Sequence, residues 1–527
     1  MNLIRSAAML LVLSPAVGHG ATPEYAPPQE AEVGTFFAQQ DANGAVAEAS
    51  GDETADAAEA KRFVTRHKLA LADGSEIDYT TTAGEILLKD AQGKVQARIF
   101  TIAHTKEGVE APEDRPVSFV FNGGPGSSSV WLHLGLLGPK RVDVPSDGTD
   151  AGAPPYQLQD NALSLLSVSD LVFVDPVGTG FSHAEGDRQD EAYWGVDEDS
   201  RSIAQFIRNY ITEHKRWNSP KYLIGESYGS IRAAVLVRDL QQNLNSVAIN
   251  GVVLIGPAMD TRFILGYDTD IPFVTYLPTY AATAWYHNAL PNRPTDLKAF
   301  LREVEAFAAN EYLTALFQGD SLDTASREQI VEKLHAYTGL SKTYLENAEL
   351  RVTASRFMKE LLRDRGVVVG RFDSRYVGTE PSDNAGEHPS DDPSGYGIDG
   401  AFVATMNDYL TRDLEVVMDR DYIILNRQAN QQWKRPQGYR SIFGGFVNVL
   451  PELARGMTTN KDLRVFVATG YFDLATTFFA AEYMVNHSGM DPQRVTMKPY
   501  EAGHMMYVHR PSYEQLAADL RAFVEAG

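Results

Sequence analysis

The chain has 527 residues, which is enough for a large hydrophobic core and for several domains, or for one domain with a sizeable insertion. Its formal charge of -23 at pH 7 argues against binding to nucleic acid or to an anionic membrane surface. The sequence contains no cysteine, which excludes disulfides, thiolate metal sites and cysteine nucleophiles.

The N-terminal residues predict export. Arg5 supplies a positive charge, residues 7–13 are apolar and residues 18–20 form a small-x-small cleavage site, so residues 1–20 predict a secretory signal peptide. A buried N-terminal helix is the alternative interpretation. Residues 21–61 are rich in Ala, Glu, Asp, Gly and Pro, which predicts a disordered leader. No other run approaches the roughly 18 apolar residues of a membrane span. We therefore expect an exported protein, periplasmic or extracellular, without membrane insertion.

From Phe63 onward the sequence predicts a sheet with helices between its strands. Short alternating segments are typical of hairpin strands at a sheet edge, and they cover residues 63–71, 76–82, 85–90 and 95–104. Apolar runs then predict strands buried on both faces of a parallel sheet, at residues 117–121, 171–174, 222–224, 252–255 and 463–468. Helical patterns lie between them, notably at residues 200–215 and 231–244. This alternation predicts an α/β fold.

The alternation of strands and helices stops after Asp260. Residues 261–440 predict a mainly helical cap, inserted between a first core part (62–260) and a second core part (441–527). The cap is predicted to contain aromatic loops around Tyr276, Tyr280, Trp285 and Tyr286, helices at 295–310 and 326–337, and a polar loop at 380–394. A final helix is expected at residues 513–525, with a capping box formed by Ser512 and Gln515.

The stretch Gly225-Glu226-Ser227-Tyr228-Gly229 joins a predicted strand to a predicted helix. A serine between glycines at such a turn is typical of the nucleophile elbow of α/β-hydrolases. The turn is so tight that the positions two residues before and after the serine must lack side chains, and the serine hydroxyl is exposed above the edge of the sheet. The pentapeptide alone has low specificity, because it also arises by chance in long chains.

A serine nucleophile needs a base, and the base needs a group that orients it. In α/β-hydrolases the chain order is Ser, then Asp or Glu, then His. Asp473 follows the predicted strand 463–468, and His504 lies in the loop after a predicted late strand, 495–498. Taken alone, Asp473 could be a turn former and His504 a solvated loop histidine. Their order relative to Ser227 makes them candidates for the catalytic triad.

A glycine-rich segment, residues 122–128, follows the predicted strand 117–121. Glycines let the backbone approach a ligand closely and point amide groups at it. The position fits the second contributor to an oxyanion hole, a loop earlier in the sheet than the elbow. A simple glycine turn and a phosphate cradle are the alternatives, although the segment lacks the Lys-Ser/Thr of a P-loop.

Five motifs occur in one order in this chain and together resemble those of the serine carboxypeptidase family, peptidase family S10. They are Asn122-Gly-Gly-Pro-Gly-Ser-Ser-Ser129, Val174-Asp-Pro-Val-Gly-Thr-Gly-Phe-Ser182, Gly225-Glu-Ser-Tyr-Gly229, Gly470-Tyr-Phe-Asp473 and Gly503-His-Met505. The resemblance covers roughly residues 100–260 and 400–527 and suggests a bacterial exported member. It implies an α/β-hydrolase fold, with a mostly parallel central sheet and an inserted cap.

The resemblance also implies roles for individual residues. Ser227, Asp473 and His504 would form the triad, and the backbone amides of Gly124 and Tyr228 would form the oxyanion hole. Asn122 and Glu226 would bind the C-terminal carboxylate of the substrate. A carboxylate can hold another carboxylate only if one of them is protonated, so we expect a raised pKa for Glu226 and activity on the acid side.

The sequence departs from the family pattern in three places. Many members have a second Glu, which shares a proton with the first, where this chain has Leu136; an apolar neighbour could still raise the pKa of Glu226 by desolvation. Ser127 stands where eukaryotic relatives often have Cys. The predicted cap contains no family motif, so the pockets for substrate side chains are not predicted.

The expected function is hydrolysis of C-terminal residues from peptides through an acyl-enzyme intermediate. The expected partner is a peptide with a free C-terminus, and neither a metal, an organic cofactor nor nucleic acid is expected. The alternatives are an esterase or acyltransferase that uses the same triad, and a catalytically silent binding protein. Comparing the rates on a peptide and on its C-terminal amide distinguishes a carboxypeptidase from an esterase or acyltransferase. Labelling of Ser227 by a fluorophosphonate distinguishes an enzyme from a binding protein. The oligomeric state is not predicted.

Overall fold

The fold is organised around a mixed β-sheet. The computed structural model describes residues 59–241, 246–380, 384–434 and 446–527, so the predicted signal peptide and nearly all of the predicted leader lie outside the described residues. The strands of the described residues are β1 (Arg62–Ala70), β2 (Glu76–Lys89), β3 (Val95–Lys106), β4 (Val117–Phe121), β5 (Lys140–Val142), β6 (Leu158–Asp160), β7 (Asp170–Val174), β8 (His183–Ala184), β9 (Lys221–Glu226), β10 (Gly251–Ile255), β11 (Val367–Val369), β12 (Val377–Thr379), β13 (Arg464–Gly470) and β14 (Val495–Tyr500).

The main sheet has the strand order β1-β2-β3-β7-β4-β9-β10-β13-β14, with β8 paired to β3. The strands from β7 to β14 in this order run parallel to one another. At the other edge, β1, β2 and β3 are antiparallel. The prediction of an α/β-hydrolase fold with a mostly parallel central sheet is therefore confirmed.

One edge strand is longer than the sequence predicted. The predicted strands 76–82 and 85–90 form the single strand β2, so their separation was wrong. Ala83 and Gly84 interrupt the alternating pattern but keep the register, because both residues pair with β1 on one side and with β3 on the other. The absence of a side chain at Gly84 also lets the backbone of Lys61 approach closely.

The helices of the described residues are α1 (Val130–Leu132), α2 (Val196–Glu213), α3 (Tyr228–Gln241), α4 (Arg262–Leu265), α5 (Ile271–Tyr286), α6 (Leu297–Phe307), α7 (Leu313–Gln318), α8 (Thr324–Thr338), α9 (Lys342–Asn347), α10 (Ala354–Glu360), α11 (Pro393–Tyr396), α12 (Asp399–Asp408), α13 (Arg427–Gln432), α14 (Leu450–Thr459), α15 (Phe478–Asn486) and α16 (Arg510–Glu525). None of these described helices combines the length and the apolarity that crossing a lipid bilayer requires. Residues 242–244, the end of one predicted helix, lie outside the described residues.

Helices cover both faces of the parallel half of the sheet. Alternate residues of a strand point to opposite faces. Accordingly, Phe119 of β4 packs into a cluster with residues of α2 and α3, whereas its neighbour Val120 packs into a second cluster with residues of α16. Full burial of one such side chain contributes about 1.5–3 kcal/mol to the free energy of folding. The continuous apolar runs thus arise because both faces of these strands are covered.

The aromatic residues 276–286 form a helix and not loops, so that prediction was wrong. Helix α5 contains Tyr276, Tyr280, Trp285 and Tyr286 and has Pro278 in its interior. Residues 272–284 of this helix are all buried. A helix that is apolar on all sides lacks the periodic polar face by which a helix is predicted from sequence.

The predicted cap residues pack in two different places. Helices α5 to α10 share an apolar cluster with Tyr471 and Phe472, which follow β13. Helix α12 instead contributes Phe402 and Met406 to the cluster that contains α16. The segment 423–434 pairs with loops of the first core part, since Ile423 bridges to Gly180 and Leu425 to Ser127. The division at residues 260 and 440 stays a prediction.

The last helix starts earlier than predicted. Helix α16 begins at Arg510, with Pro511 in its first turn, and no side chain caps its N-terminus. Ser512 lies inside the helix and bonds to Nδ1 of His509 at 2.8 Å. The predicted capping box was therefore wrong, because the helix already begins two residues before Ser512. Proline, with its fixed φ, is suited to the first turn of a helix.

Candidate active site

Ser227 lies at the turn between β9 and α3, at the carboxyl end of the parallel strands. Its φ of +58° is in the left-handed region, which costs a residue other than glycine about 1–3 kcal/mol. The surrounding backbone holds this conformation. The amide of Ser227 donates to the carbonyl of Ile255 at 2.9 Å, and the carbonyl of Ser227 accepts from the Ser230 hydroxyl at 2.6 Å.

The two glycines of the pentapeptide are required by close contacts. A Cβ atom at Gly229 would lie 2.7 Å from the carbonyl oxygen of Phe121, and a Cβ at Gly225 would overlap the carbonyl of Gly229. Both neighbours are backbone atoms that cannot move aside. The tight turn predicted for the elbow is thus present, and its serine is only partly buried.

Asp473 and His504 are in direct contact. Nδ1 of His504 lies 2.7 Å from Oδ2 of Asp473. The carboxylate is fully buried, and its Oδ1 accepts from the amides of Ala475 and Thr476, both at 2.8 Å. The hydroxyl of Thr476 donates to Oδ2 at 2.8 Å. These donors hold the carboxylate in a fixed orientation towards the imidazole.

The electrostatics of His504 favour its protonated form. Burial by itself lowers the pKa of His504, but the charge of Asp473, the hydrogen bond to it and the charge of Glu226 together raise the pKa above its ordinary value. An imidazole of this kind accepts a proton readily, and its partner carboxylate stabilises the resulting imidazolium. The arrangement is suited to a general base.

The end of β10 connects His504 to Ser227. Ile255 accepts the amide hydrogen of Ser227, and the next residue, Gly256, lies against the imidazole. A Cβ at Gly256 would be 2.7 Å from both Cε1 and Nδ1 of His504. Nε2 of His504 is buried and makes no hydrogen bond to any described residue. The hydrogen bond between serine and histidine is thus not formed here, and in enzymes without substrate this bond is often long.

The glycine-rich loop lies against the elbow. A Cβ at Gly123 would be 2.5 Å from the amide nitrogen of Tyr228 and 2.9 Å from Cβ of Ser227. Gly124 has φ of +101°, which side chains other than hydrogen rarely allow. Within the described residues, neither the amide of Gly124 nor that of Tyr228 has a hydrogen-bond acceptor. The Tyr228 amide also opens helix α3, where the helix dipole favours negative charge.

A segment that the motifs did not indicate holds this loop. We call residues 423–434 the strap. The amide of Asn426 donates to the carbonyl of Gly126 at 2.7 Å, and the side chain of Asn430 donates to the carbonyl of Pro125 at 3.2 Å. The indole of Trp433 donates to the hydroxyl of Tyr228 at 2.9 Å. The strap therefore contacts Tyr228 and the two residues that follow Gly124 in the glycine-rich loop.

Glu226 and Asn122 form a buried pair beside Ser227. Oε2 of Glu226 accepts from Nδ2 of Asn122 at 2.9 Å, and the Asn122 oxygen accepts from the amide of Leu132 at 3.1 Å. Burial raises the pKa of Glu226 to about 7, although His504 and the hydrogen bonds oppose this. The expected desolvation of this carboxyl is confirmed, so Glu226 is protonated at acid pH.

Sequence reasoning missed a third member of this cluster. The hydroxyl of Tyr507 donates to Oε2 of Glu226 at 2.8 Å. Its ring lies against Gly135, whose neighbour Leu136 is buried in the apolar core. Tyr507 follows His504 by three residues, and that proximity was the only sequence signal for it.

The arrangement combines the parts that acyl transfer requires: a hydroxyl nucleophile, an oriented histidine, and free amides beside the nucleophile. Within the described residues, no group of three or more His, Cys, Asp or Glu side chains could hold a metal ion. The site therefore offers serine chemistry next to a protonatable carboxyl group.

Comparison with known proteins finds serine carboxypeptidase-like relatives. Serine carboxypeptidase-like 13 of Arabidopsis thaliana is 26% identical over 164 residues, which are 31% of this chain and 36% of that protein. Serine carboxypeptidase-like 19 of the same plant is 27% identical over 169 residues, 31% of this chain and 35% of that protein. The chain thus aligns with about a third of the length of these curated relatives.

A solved structure and a family model extend the similarity to most of the chain. The crystal structure of Kex1(Δ)p, a prohormone-processing carboxypeptidase from Saccharomyces cerevisiae, matches with a TM-score of 0.51 and 18% identity, over 84% of this chain and 91% of that one. At this identity the likeness shows the fold alone. The family model described as serine carboxypeptidase matches residues 100–517. The chain belongs to the serine carboxypeptidase family.

Proposed function

We propose that this protein is a serine-type carboxypeptidase that hydrolyses C-terminal residues from peptides. The observation that carries the proposal is the position of Glu226, a buried carboxyl whose pKa is raised to about 7, directly before Ser227 in the chain. Membership of the serine carboxypeptidase family supports it. A protonated carboxyl beside the nucleophile is suited to hold the free carboxylate of a peptide while the adjacent bond is cut.

In the proposed mechanism, the hydroxyl of Ser227 attacks the scissile carbonyl and His504 takes its proton. His504 then gives a proton to the leaving amine, and Asp473 keeps the imidazole oriented and stabilises its charge. Water releases the acyl group in a second step of the same kind.

The amides of Gly124 and Tyr228 would bind the oxyanion of the tetrahedral intermediate. Both amides lack an acceptor among the described residues, so they need no rearrangement to bind it. Each such donor contributes about 3–4 kcal/mol to stabilising the transition state.

Asn122 and Glu226 would bind the C-terminal carboxylate of the substrate. Asn122 holds Oε2 of Glu226, whereas Oε1 makes no hydrogen bond to the described residues. A proton on Oε1 can be donated to the substrate carboxylate. The ligand is thus a peptide with a free C-terminus, and the chemistry uses no metal or organic cofactor.

We also propose that the protein is a bacterial exported protein, periplasmic or extracellular. The support is the charged and apolar pattern of residues 1–20 and the small-x-small site before Ala21. The proposed organisation is the one predicted from sequence, with a helical cap at 261–440 between two parts of the hydrolase core.

An esterase or acyltransferase with the same triad is the main alternative. It would need no recognition of a free carboxylate, and the buried pair of Glu226 and Asn122 favours the carboxypeptidase. A catalytically silent binding protein is disfavoured by the contact between Asp473 and His504, which a binding role does not require.

The test compares N-blocked dipeptides that end in a free carboxylate with the same dipeptides as C-terminal amides, at several pH values. We expect kcat/KM for the free acid to exceed that for the amide by at least about tenfold below pH 7, since one charge-assisted hydrogen bond contributes about 1.5–3 kcal/mol. Equal rates on acid and amide would contradict carboxylate recognition. Absence of labelling of Ser227 by a fluorophosphonate in the folded protein would favour a binding protein.

A further inference from the structure

We infer that Tyr507 is a positioning residue that keeps the proton of Glu226 on Oε1, the oxygen left for the substrate carboxylate. The inference rests on the proposed carboxypeptidase function and deepens it. It assigns the discrimination of a free C-terminus to three groups, Glu226, Asn122 and Tyr507, of which the last was not indicated by any motif.

Tyr507 is held firmly in place. It lies in a 3-10 helix, Met506–Val508, and is fully buried. Its ring occupies space that exists only because Gly135 has no side chain. Nη2 of Arg141 donates to the carbonyl of Tyr507 at 2.8 Å, and Nε of Arg141 donates to the carbonyl of Gly135 at 3.2 Å. Arg141 thereby fixes the ring relative to the glycine against which it packs.

The hydrogen bonds decide which carboxyl oxygen carries the proton. The amide nitrogen of Asn122 can only donate, and its orientation is set by the bond from Leu132 to its oxygen. The hydroxyl of Tyr507 donates to the same oxygen of Glu226, Oε2. An oxygen that accepts from two donors is the carbonyl oxygen of the acid form, so the O–H group is on Oε1. Protonated Glu226 then presents a donor where the ligand is expected.

The same hydrogen bond limits the pH range of the acid form. Burial raises the pKa of Glu226 to about 7, and the bond from Tyr507 opposes this rise because it stabilises the carboxylate. The other charged groups that face Glu226 are His504, which also lowers its pKa, and Asp473, which raises it. Arg232 and Arg141 bind the backbone carbonyls of Asn122 and Tyr507. Removing the hydroxyl therefore raises the pKa of Glu226.

Tyr507 differs in its titration from the second glutamate that many members of the family have where this chain has Leu136. Burial raises the pKa of Tyr507 well above its ordinary value, so its hydroxyl stays protonated throughout the working range. Leu136 adds no titratable group. Neither Tyr507 nor Leu136 therefore adds an ionisation to that of Glu226, whereas two carboxyl groups that share a proton titrate in two coupled steps.

The test is the pH dependence of kcat/KM for a free-acid dipeptide and for its amide, in wild type and in Tyr507→Phe. We expect Tyr507→Phe to move the alkaline limb of the free-acid profile to higher pH by about one unit. A shift of this size corresponds to the free energy of one hydrogen bond to a charged group. The amide profile should keep its position on the pH axis. A merely structural role would lower both rates together and leave both profiles in place.

The control is Tyr500→Phe, which also removes a buried tyrosine hydroxyl bonded to a carboxylate, that of Asp519 at 2.8 Å. In Tyr500→Phe the alkaline limb of the pH profile for the free acid should not move. If Tyr507→Phe folds poorly, a fluorinated tyrosine at position 507 keeps the shape but donates more strongly, and the limb should then move to lower pH. An unmoved limb in the folded variants would overturn the inference, whereas equal wild-type rates on acid and amide would overturn the proposed function itself.

Discussion

The elbow at the end of β9 and the strap at residues 423–434 both lie beside the candidate oxyanion hole, but they are built differently. The elbow is built from adjacent residues, and its glycines are required by contacts with the neighbouring backbone. The strap reaches the same place from a distant part of the chain, through side-chain and backbone bonds to Pro125, Gly126 and Tyr228. The turn itself thus presents the nucleophile, while the strap bonds to the glycine-rich loop and to the Tyr228 hydroxyl beside it.

Substitutions in the two regions should therefore differ in kind. Removing the Ser227 hydroxyl from the elbow takes away the reacting group itself, so it should abolish catalysis without shifting the geometry of the rest. Changes in the strap leave all reacting groups present, and they should alter only the positions of the glycine-rich loop and of Tyr228.

The largest effect is expected for Ser227→Ala. Loss of the nucleophile should lower kcat by about 10⁶-fold, because the remaining groups of a triad contribute little without it. Turnover of the N-blocked dipeptide measures the effect, and labelling by a fluorophosphonate should disappear. Ser488→Ala, which removes a hydroxyl bonded only to the backbone, is the control. A Ser227→Ala variant with near-normal rates would remove the nucleophile assignment.

Glu226→Gln should have an intermediate effect with a distinct pH signature. In wild type, the raised pKa of Glu226 means that the acid form exists below about pH 7 and is lost above it, so kcat/KM for the free acid should fall as the pH rises through that value. Glutamine donates at every pH, and the alkaline fall should disappear, together with a loss of about tenfold at acid pH.

Glu305→Gln is the matched control for this pH profile. The pKa of Glu305 in α6 is also raised to about 7, by burial and by the charge of Glu482, but Glu305 lies in another part of the fold. Its glutamine variant should keep the alkaline fall of wild type. If Glu226→Gln also kept that fall, another group would be responsible for it.

The smallest effect is expected for Trp433→Phe in the strap. The variant loses the bond to the Tyr228 hydroxyl, which contributes about 0.5–1.5 kcal/mol, so kcat should fall by about two- to tenfold with little change in KM. Trp217→Phe removes an indole bonded to Thr212 on the surface and should change neither constant. A normal kcat in Trp433→Phe would show that the strap does not position the donors.

The fold was largely predictable because its signals are local. The buried strands 117–121 and 252–255 are continuous apolar runs, and they appear as β4 and β10 with the same bounds or within one residue. The aromatic helix α5 was missed because burial on all sides removes its periodic pattern. The edge strand β2 was divided in two because pairing on both sides, which the sequence does not show, carries it through Gly84.

The candidate site was predictable where its residues belong to motifs. The motifs identified Ser227, Asp473, His504, Asn122 and Glu226, and the structure brings Asp473 into contact with His504 and Asn122 into contact with Glu226. No motif contains the strap or Tyr507. Their roles depend on hydrogen bonds between residues hundreds of positions apart in the chain, such as that from Tyr507 to Glu226.

The sequence by itself determined which residues could react and the order in which the strands and helices follow one another, because a turn, a strand or a helix depends mainly on neighbouring residues. Only the tertiary structure decided how acidic Glu226 is, which of its oxygens is free, and which segment contacts the glycine-rich loop and Tyr228. These properties arise from burial and from hydrogen bonds between distant segments, and both exist only once the chain has folded.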